Sequence, residues 1–152
     1  MDANDHVMGL GRLMGYLQSL EATIRIFLTW TGSENYMISR DTFGQLIEKY
    51  NKQLASDEPY SIDQQVVDIR NALAHGLVFA PSNTSPLILN MRLPLTLTKS
   101  LPLTLFHAAS GLNVQMTVDW FQAQQTLVQD QHNCILACAK KRGISSPFAF
   151  AV

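Results

Sequence analysis

The chain is short of charge. Only 15% of its 152 residues are Asp, Glu, Lys or Arg, and 11 cations against 12 anions leave a net charge of −1. That balance excludes a broad basic face, so any contact with nucleic acid has to come from a local cluster or from surfaces joined across an assembly. Cysteine is scarce as well. Cys134 and Cys138 are the only two, too few for a disulfide framework. Four residues apart, they fall on one face of a helix, where they suit a buried apolar pair. Together with His132 they offer fewer donors than zinc takes, in none of its usual spacings, so no metal site is expected. No run of 18 apolar residues occurs, so no membrane span is expected. The start, "MDANDHVMGL", carries acids where an export signal would carry cations, and a cytoplasmic protein is the expectation. With 47% hydrophobic residues the chain can bury a core, and one domain over residues 1–152 is expected.

What is present reads mainly as helix. Leu10, Leu13, Leu17, Leu20, Ile24 and Phe27 recur in steps of three and four, the seam of a long amphipathic helix. "GLGRLMG", near its start, has its third glycine misplaced for a dinucleotide fingerprint, and no strand precedes it. Gly11 and Gly15 are instead expected to let another backbone come close, at about 1 kcal/mol each in helix propensity. Thr42 and Gln45 have capping-box spacing ahead of a second helix carrying Phe43, Leu46, Ile47, Tyr50 and Leu54. Ser61 and Gln64 repeat that spacing ahead of a third, whose stripe of Ile62, Val66, Ile69 and Leu73 ends at Gly76.

Beyond Gly76 the period shortens to two. "LVFA" and two copies of "LPLTL", at Leu93–Leu97 and Leu101–Leu105, read as strands of a β-hairpin insertion over about residues 77–116. Pro94 and Pro102 cannot donate to a ladder, which confines these strands to an edge or makes them irregular. A last helix is expected from Thr117 to Arg142, with Trp120, Phe121, Leu127, Val128, Ile135 and Cys138 inward and "KKRG" closing it. The apolar tail, residues 144–152, is expected to dock on the core or on a partner.

One stretch could carry chemistry. "DIRNALAHG" places Arg70, Asn71 and His75 on the last turns of the third helix. An Arg and a His at such spacing arise easily by chance. Requiring Asn directly after the Arg lowers the chance to about one in forty. A guanidinium holds a phosphate with a planar two-pronged fork. An imidazole, with an unperturbed pKa of about 6.5, exchanges protons near neutrality. Asn71 lies one turn before His75, where its amide would orient the ring or bind a phosphate oxygen. Arg70 lies about 140° from His75 around an ideal helix, so two such helices meeting about a two-fold axis would bring both into one cleft more readily than one chain does. The plain structural alternative gives each residue a local role. Asn71 bonds near the helix end, Arg70 pairs with Glu21 or with Asp68 of a neighbouring chain, and His75 sits against the C-terminal dipole. His6, His107 and His132 are expected to be surface or satisfied residues, and Trp30, Trp120 and Tyr60 to serve core or interface packing rather than to stack on bases.

"IRNALAHG" resembles the R-x4-6-H motif of the HEPN superfamily in its form with Asn after Arg. The layout is also similar over about Asp5–Arg142: a long first helix, a second beginning "TFGQLI", a third ending in the motif, and an insertion before the last helix. The resemblance implies a mainly α fold, an up-and-down bundle of four to five helices with a β-hairpin insertion. It also implies a metal-independent ribonuclease that cleaves single-stranded RNA as a homodimer, without a cofactor, in a toxin–antitoxin or other defence setting. Arg70 and His75 would be catalytic and Asn71 would bind substrate; an antitoxin or another protein would be a further partner. A non-catalytic module binding a nucleotide or a protein is the alternative within the superfamily, and a helical domain binding partners through its edge strands and tail is another. One departure bears on regulation. Where toxins silenced by nucleotide attachment usually carry a tyrosine two residues after the histidine, this chain has Leu77.

Overall fold

The computed structural model describes residues 2–79 and 102–144. Among them run four helices, α1 (Ala3–Thr31), α2 (Phe43–Lys52), α3 (Gln65–His75) and α4 (Val118–Lys141), and three strands, β1 (Leu77–Phe79), β2 (Thr104–His107) and β3 (Leu112–Gln115). The protein is thus mainly helical, and its strands form one antiparallel sheet in the order β1-β2-β3. The chain packs into two compact units, one of Met1–Gly15 with Asp68–Gln125 and the other of Tyr16–Val67 with Thr126–Val152.

Each helix end has a local cause. α1 begins well before the leucine seam because Asp2 and Asp5 cap it reciprocally: the Asp5 amide donates to Asp2 Oδ1 (2.8 Å) and the Asp2 amide to Asp5 Oδ2 (3.1 Å). This is the capping-box arrangement with carboxylates at both positions, on the end of the helix where negative charge is stabilised. α2 begins with the expected box, Thr42 accepting from the Gln45 amide and the Gln45 side chain accepting from the Thr42 amide. The box expected at Ser61 and Gln64 does not form. Asp63 serves α3 instead, its carboxylate accepting from the Gln65 amide (2.9 Å). α4 ends as "KKRG" implies: Gly143 adopts φ +72°, its amide donates to Lys140 O (3.1 Å) and the Ile144 amide to Ala139 O (2.8 Å). That pair of bonds is the Schellman motif, which needs a left-handed residue at Gly143.

In the second unit Leu17, Leu20, Ile24, Phe27 and Leu28 of α1 are buried, as are Phe43, Leu46, Ile47 and Tyr50 of α2. Each large side chain removed from water contributes roughly 1.5–3 kcal/mol. Phe27 meets Tyr50 edge to face, with ring centres 5.0 Å apart. Leu54 falls beyond α2 and is half-buried. Two polar side chains pin the irregular backbone of this unit. Arg25 donates to the carbonyls of Tyr36 (2.7 Å), Ser39 (3.2 Å) and Asp41 (3.0 Å) and pairs with Glu21 (3.0 Å), which fixes the α1–α2 connection. Asn51 donates to Ile62 O (3.0 Å) and accepts from Ile62 N (2.9 Å), doing the same ahead of α3.

In the first unit the buried hydrophobic residues are Leu13, Ile69, Ala72, Leu103, Leu105, Met116 and Phe121. Leu73, expected in the buried stripe, is only half-buried, while Ala72 is fully enclosed. The hairpin here is β2–β3, with His107 paired to Leu112 around the Ala108–Gly111 turn. The sequence pattern had instead paired the two "LPLTL" copies. The first copy, with Pro94, lies outside the described residues, as does the tail from residue 145. The second enters β2 only at Thr104, and Pro102 precedes the strand, where its missing N–H costs nothing.

The glycines also differ from expectation. Gly11 and Gly15 are exposed, and a Cβ on either would meet nothing within 4 Å, whereas one on Gly9 would stand 2.7 Å from the Phe121 ring. Gly9 is therefore the position of close approach. Gly11→Ala and Gly15→Ala are each expected to stabilise the protein by up to about 1 kcal/mol. Gly9→Ala is expected to cost about 1–3 kcal/mol through overpacking. Thermal melts of the three variants check the opposite signs.

Candidate functional site

Arg70, Asn71 and His75 lie where the pattern placed them, on the last two turns of α3, with His75 its final residue. Ile69 and Ala72 hold the inner face of this segment in the core, which leaves Arg70 and Asn71 half-buried and His75 exposed. Gly76 then ends the helix, its amide donating to Ala72 O (2.7 Å), and the chain turns directly into β1.

The polar contacts sort the three residues. Arg70 Nη1 donates to Asn71 Oδ1 across a long 3.5 Å. No hydrogen bond joins Asn71 to His75 among the described residues, so the orientation of the ring by that amide, expected from their spacing, is not seen. Nor does an acid pair with Arg70 among the described residues, and Glu21, the acid considered for that role, is paired with Arg25 (3.0 Å). Among the described residues the guanidinium therefore keeps most of its donors, and the imidazole both nitrogens, open to a group docking on this helix tip. Among the described residues no cluster of three or more His, Cys, Asp or Glu is placed to hold a metal ion. No described helix is long and apolar enough to cross a membrane.

Among the described residues two clefts are outlined, and the motif residues line neither. One, about 490 Å³, is lined in part by Tyr16, Ser19, Asp130 and His132; the other, about 220 Å³, by Asp5, Arg12, Phe121 and Gln125. His132 is satisfied, as expected. The Thr23 hydroxyl donates to Ser19 O (2.9 Å), so at its 2.9 Å contact with His132 it must accept from Nε2–H. Burial lowers the His132 pKa and keeps the ring neutral. His107 bonds through Nδ1 to Ser110 Oγ (2.8 Å). Cys134 and Cys138 are free thiols, the second buried, and burial pushes Cys134 up from its ordinary pKa, away from reactivity.

Two expectations fail and a third is narrowed. His6 is neither at the surface nor satisfied: it is 1% exposed, edge-on to Phe121 at 5.4 Å, and neither ring nitrogen has a hydrogen-bond partner among the described residues. Trp30, expected to pack in a core or at an interface, is 59% exposed and so lies outside the core. Leu127 is only half-buried, the period of α4 having rotated it off the core face. Nothing in the composition around His6 signals its burial, because that arises from the Gly9–Phe121 approach, a tertiary event.

Burial of an unpartnered imidazole lowers the His6 pKa below its ordinary value. Below about pH 6.5 the unfolded chain binds a proton that the folded chain refuses, so this term destabilises the fold as pH falls through that value and vanishes above it. The protein is expected to melt at a lower temperature at pH 5.5 than at pH 7.5. His6→Phe should narrow the gap, and His132, shifted the same way, accounts for part of what remains. An equal gap in that variant would rule His6 out.

Compared with known proteins, the chain matches no family model, no curated protein and no solved structure.

Proposed function

We propose that the protein is a metal-independent endoribonuclease of HEPN type, of the kind that serves as a toxin or in defence, cleaving single-stranded RNA at a site composed across a homodimer. The observation that carries the reading is the state of the motif residues: a guanidinium with no acid against it among the described residues and an exposed imidazole, both on one helix tip. RNA cleavage of this class needs proton transfer at the attacking and leaving oxygens, and a cation beside the phosphorane. Arg70 and His75 supply both kinds of group, and Asn71 adds an amide for a phosphate oxygen. The motif residues line neither of the two clefts outlined among the described residues. A second copy meeting this helix tip about a two-fold axis would form a shared cleft and double its charge.

The test is direct. Purified protein is incubated with labelled single-stranded RNA in EDTA beside His75→Ala, while sedimentation reports the oligomeric state. Cleavage by the wild type alone, from a dimer, supports the reading. RNA or nucleotide binding with no cleavage by either protein replaces it with a non-catalytic module.

A further inference from the structure

Cleaving RNA through its own 2′-hydroxyl moves two protons: one leaves O2′ as it attacks phosphorus, and one arrives at O5′ as the P–O5′ bond breaks. His75 can make one transfer per protomer. The sheet brings a second imidazole to the same end of the fold. β1 follows α3 after the single residue Gly76, and its first residue, Leu77, pairs with Phe106 of β2, so His107 lies one step past the last pair, toward the α3 end.

The side-chain direction follows from Gly76. A Cβ built there would stand 2.9 Å from Phe106 O and 3.0 Å from Leu105 Cδ1, so the Leu105 side chain lies on the β2 face that meets the end of α3. Side chains two apart on a strand share a face, which puts His107 on that face too, beside the residue that follows His75. The ring is also held. Ser110 Oγ donates back to His107 O (3.4 Å), which turns its lone pair toward Nδ1 (2.8 Å) and leaves Nε2 as the nitrogen that gains and loses a proton.

We propose that His107 is the general acid of the same site, protonating O5′ from Nε2 while His75 takes the proton from O2′. The P–O2′ bond forms as P–O5′ breaks, giving a 2′,3′-cyclic phosphate and a 5′-hydroxyl, and the two histidines exchange protonation states. This assignment rests on the ribonuclease reading and completes the acid–base pair within one protomer.

The experiment uses full-length protein and two RNAs of one sequence, differing at a linkage that the wild type cleaves. One carries the natural O5′ there; the other carries sulfur, whose thiolate leaves without a proton. His107→Ala is expected to cleave the oxygen RNA at least about a hundredfold more slowly, to lose the alkaline limb of its pH profile, and to cleave the sulfur RNA within about threefold of the wild type. Ser110→Ala, which keeps the imidazole but frees it, should show a smaller loss, about tenfold, confined to the oxygen RNA. His75→Ala should lose both substrates. Wild-type rates for His107→Ala on both RNAs, or equal losses on both, overturn the role of His107 while leaving the ribonuclease reading intact. If His75→Ala instead recovers on sulfur RNA, the acid and base are reversed and the assignment falls. If the wild type cleaves neither RNA, it is the ribonuclease reading that fails.

Discussion

His75→Ala is expected to lower cleavage of single-stranded RNA by a hundredfold or more, about the contribution of one proton-transfer group, with melting temperature and oligomeric state unchanged. The two halves of this expectation have separate grounds. The side chain is exposed at the end of α3 and makes no hydrogen bond among the described residues. Its removal therefore costs the fold at most its interaction with the helix dipole, typically below about 1 kcal/mol. Loss of activity with an intact fold would place the imidazole in the chemistry. Arg70→Lys sharpens the result, because it keeps the charge and removes the fork. A loss of about tenfold to a hundredfold in that variant would indicate two-pronged phosphate contact, and full activity would reduce Arg70 to a point charge. Wild-type cleavage by His75→Ala would remove the enzymatic reading.

The largest stability effect is expected at Gly76. A Cβ there would collide with Ala72 O and stand 2.9 Å from Phe106 O, and both obstacles are backbone. At Gly9 the obstacle is a ring that can shift, but here the helix end and a sheet strand would both have to move. Gly76→Ala is expected to cost about 3 kcal/mol, the upper end of ordinary overpacking, or roughly 10 °C in melting temperature for a chain of this size. Because Gly76 separates His75 from β1 and lies against β2, cleavage should fall along with stability. A melting temperature within a degree or two of wild type would show that the α3–β1 turn relaxes freely and does not fix the site.

Periodicity and end signals decided much of the fold before any tertiary contact was considered. The seam from Leu13 to Phe27, the Thr42–Gln45 box, the Gly143 cap and the positions of Arg70, Asn71 and His75 on α3 are local facts, set by the 3.6-residue repeat and by which side chains reach a helix's own end groups. The seam leaves the start of α1 open, because the box that sets it is built from Asp2 and Asp5 rather than from the commoner Ser or Thr with Glu or Gln. The pairing of β2 with both β1 and β3, the close approach at Gly9 rather than Gly11 or Gly15, the burial of His6 and the placing of His107 beside the end of α3 were decided only by the tertiary structure. Each depends on which distant segment arrives at a given face. A sequence states how often a side chain points inward, but what it meets there is fixed only when the whole core has packed.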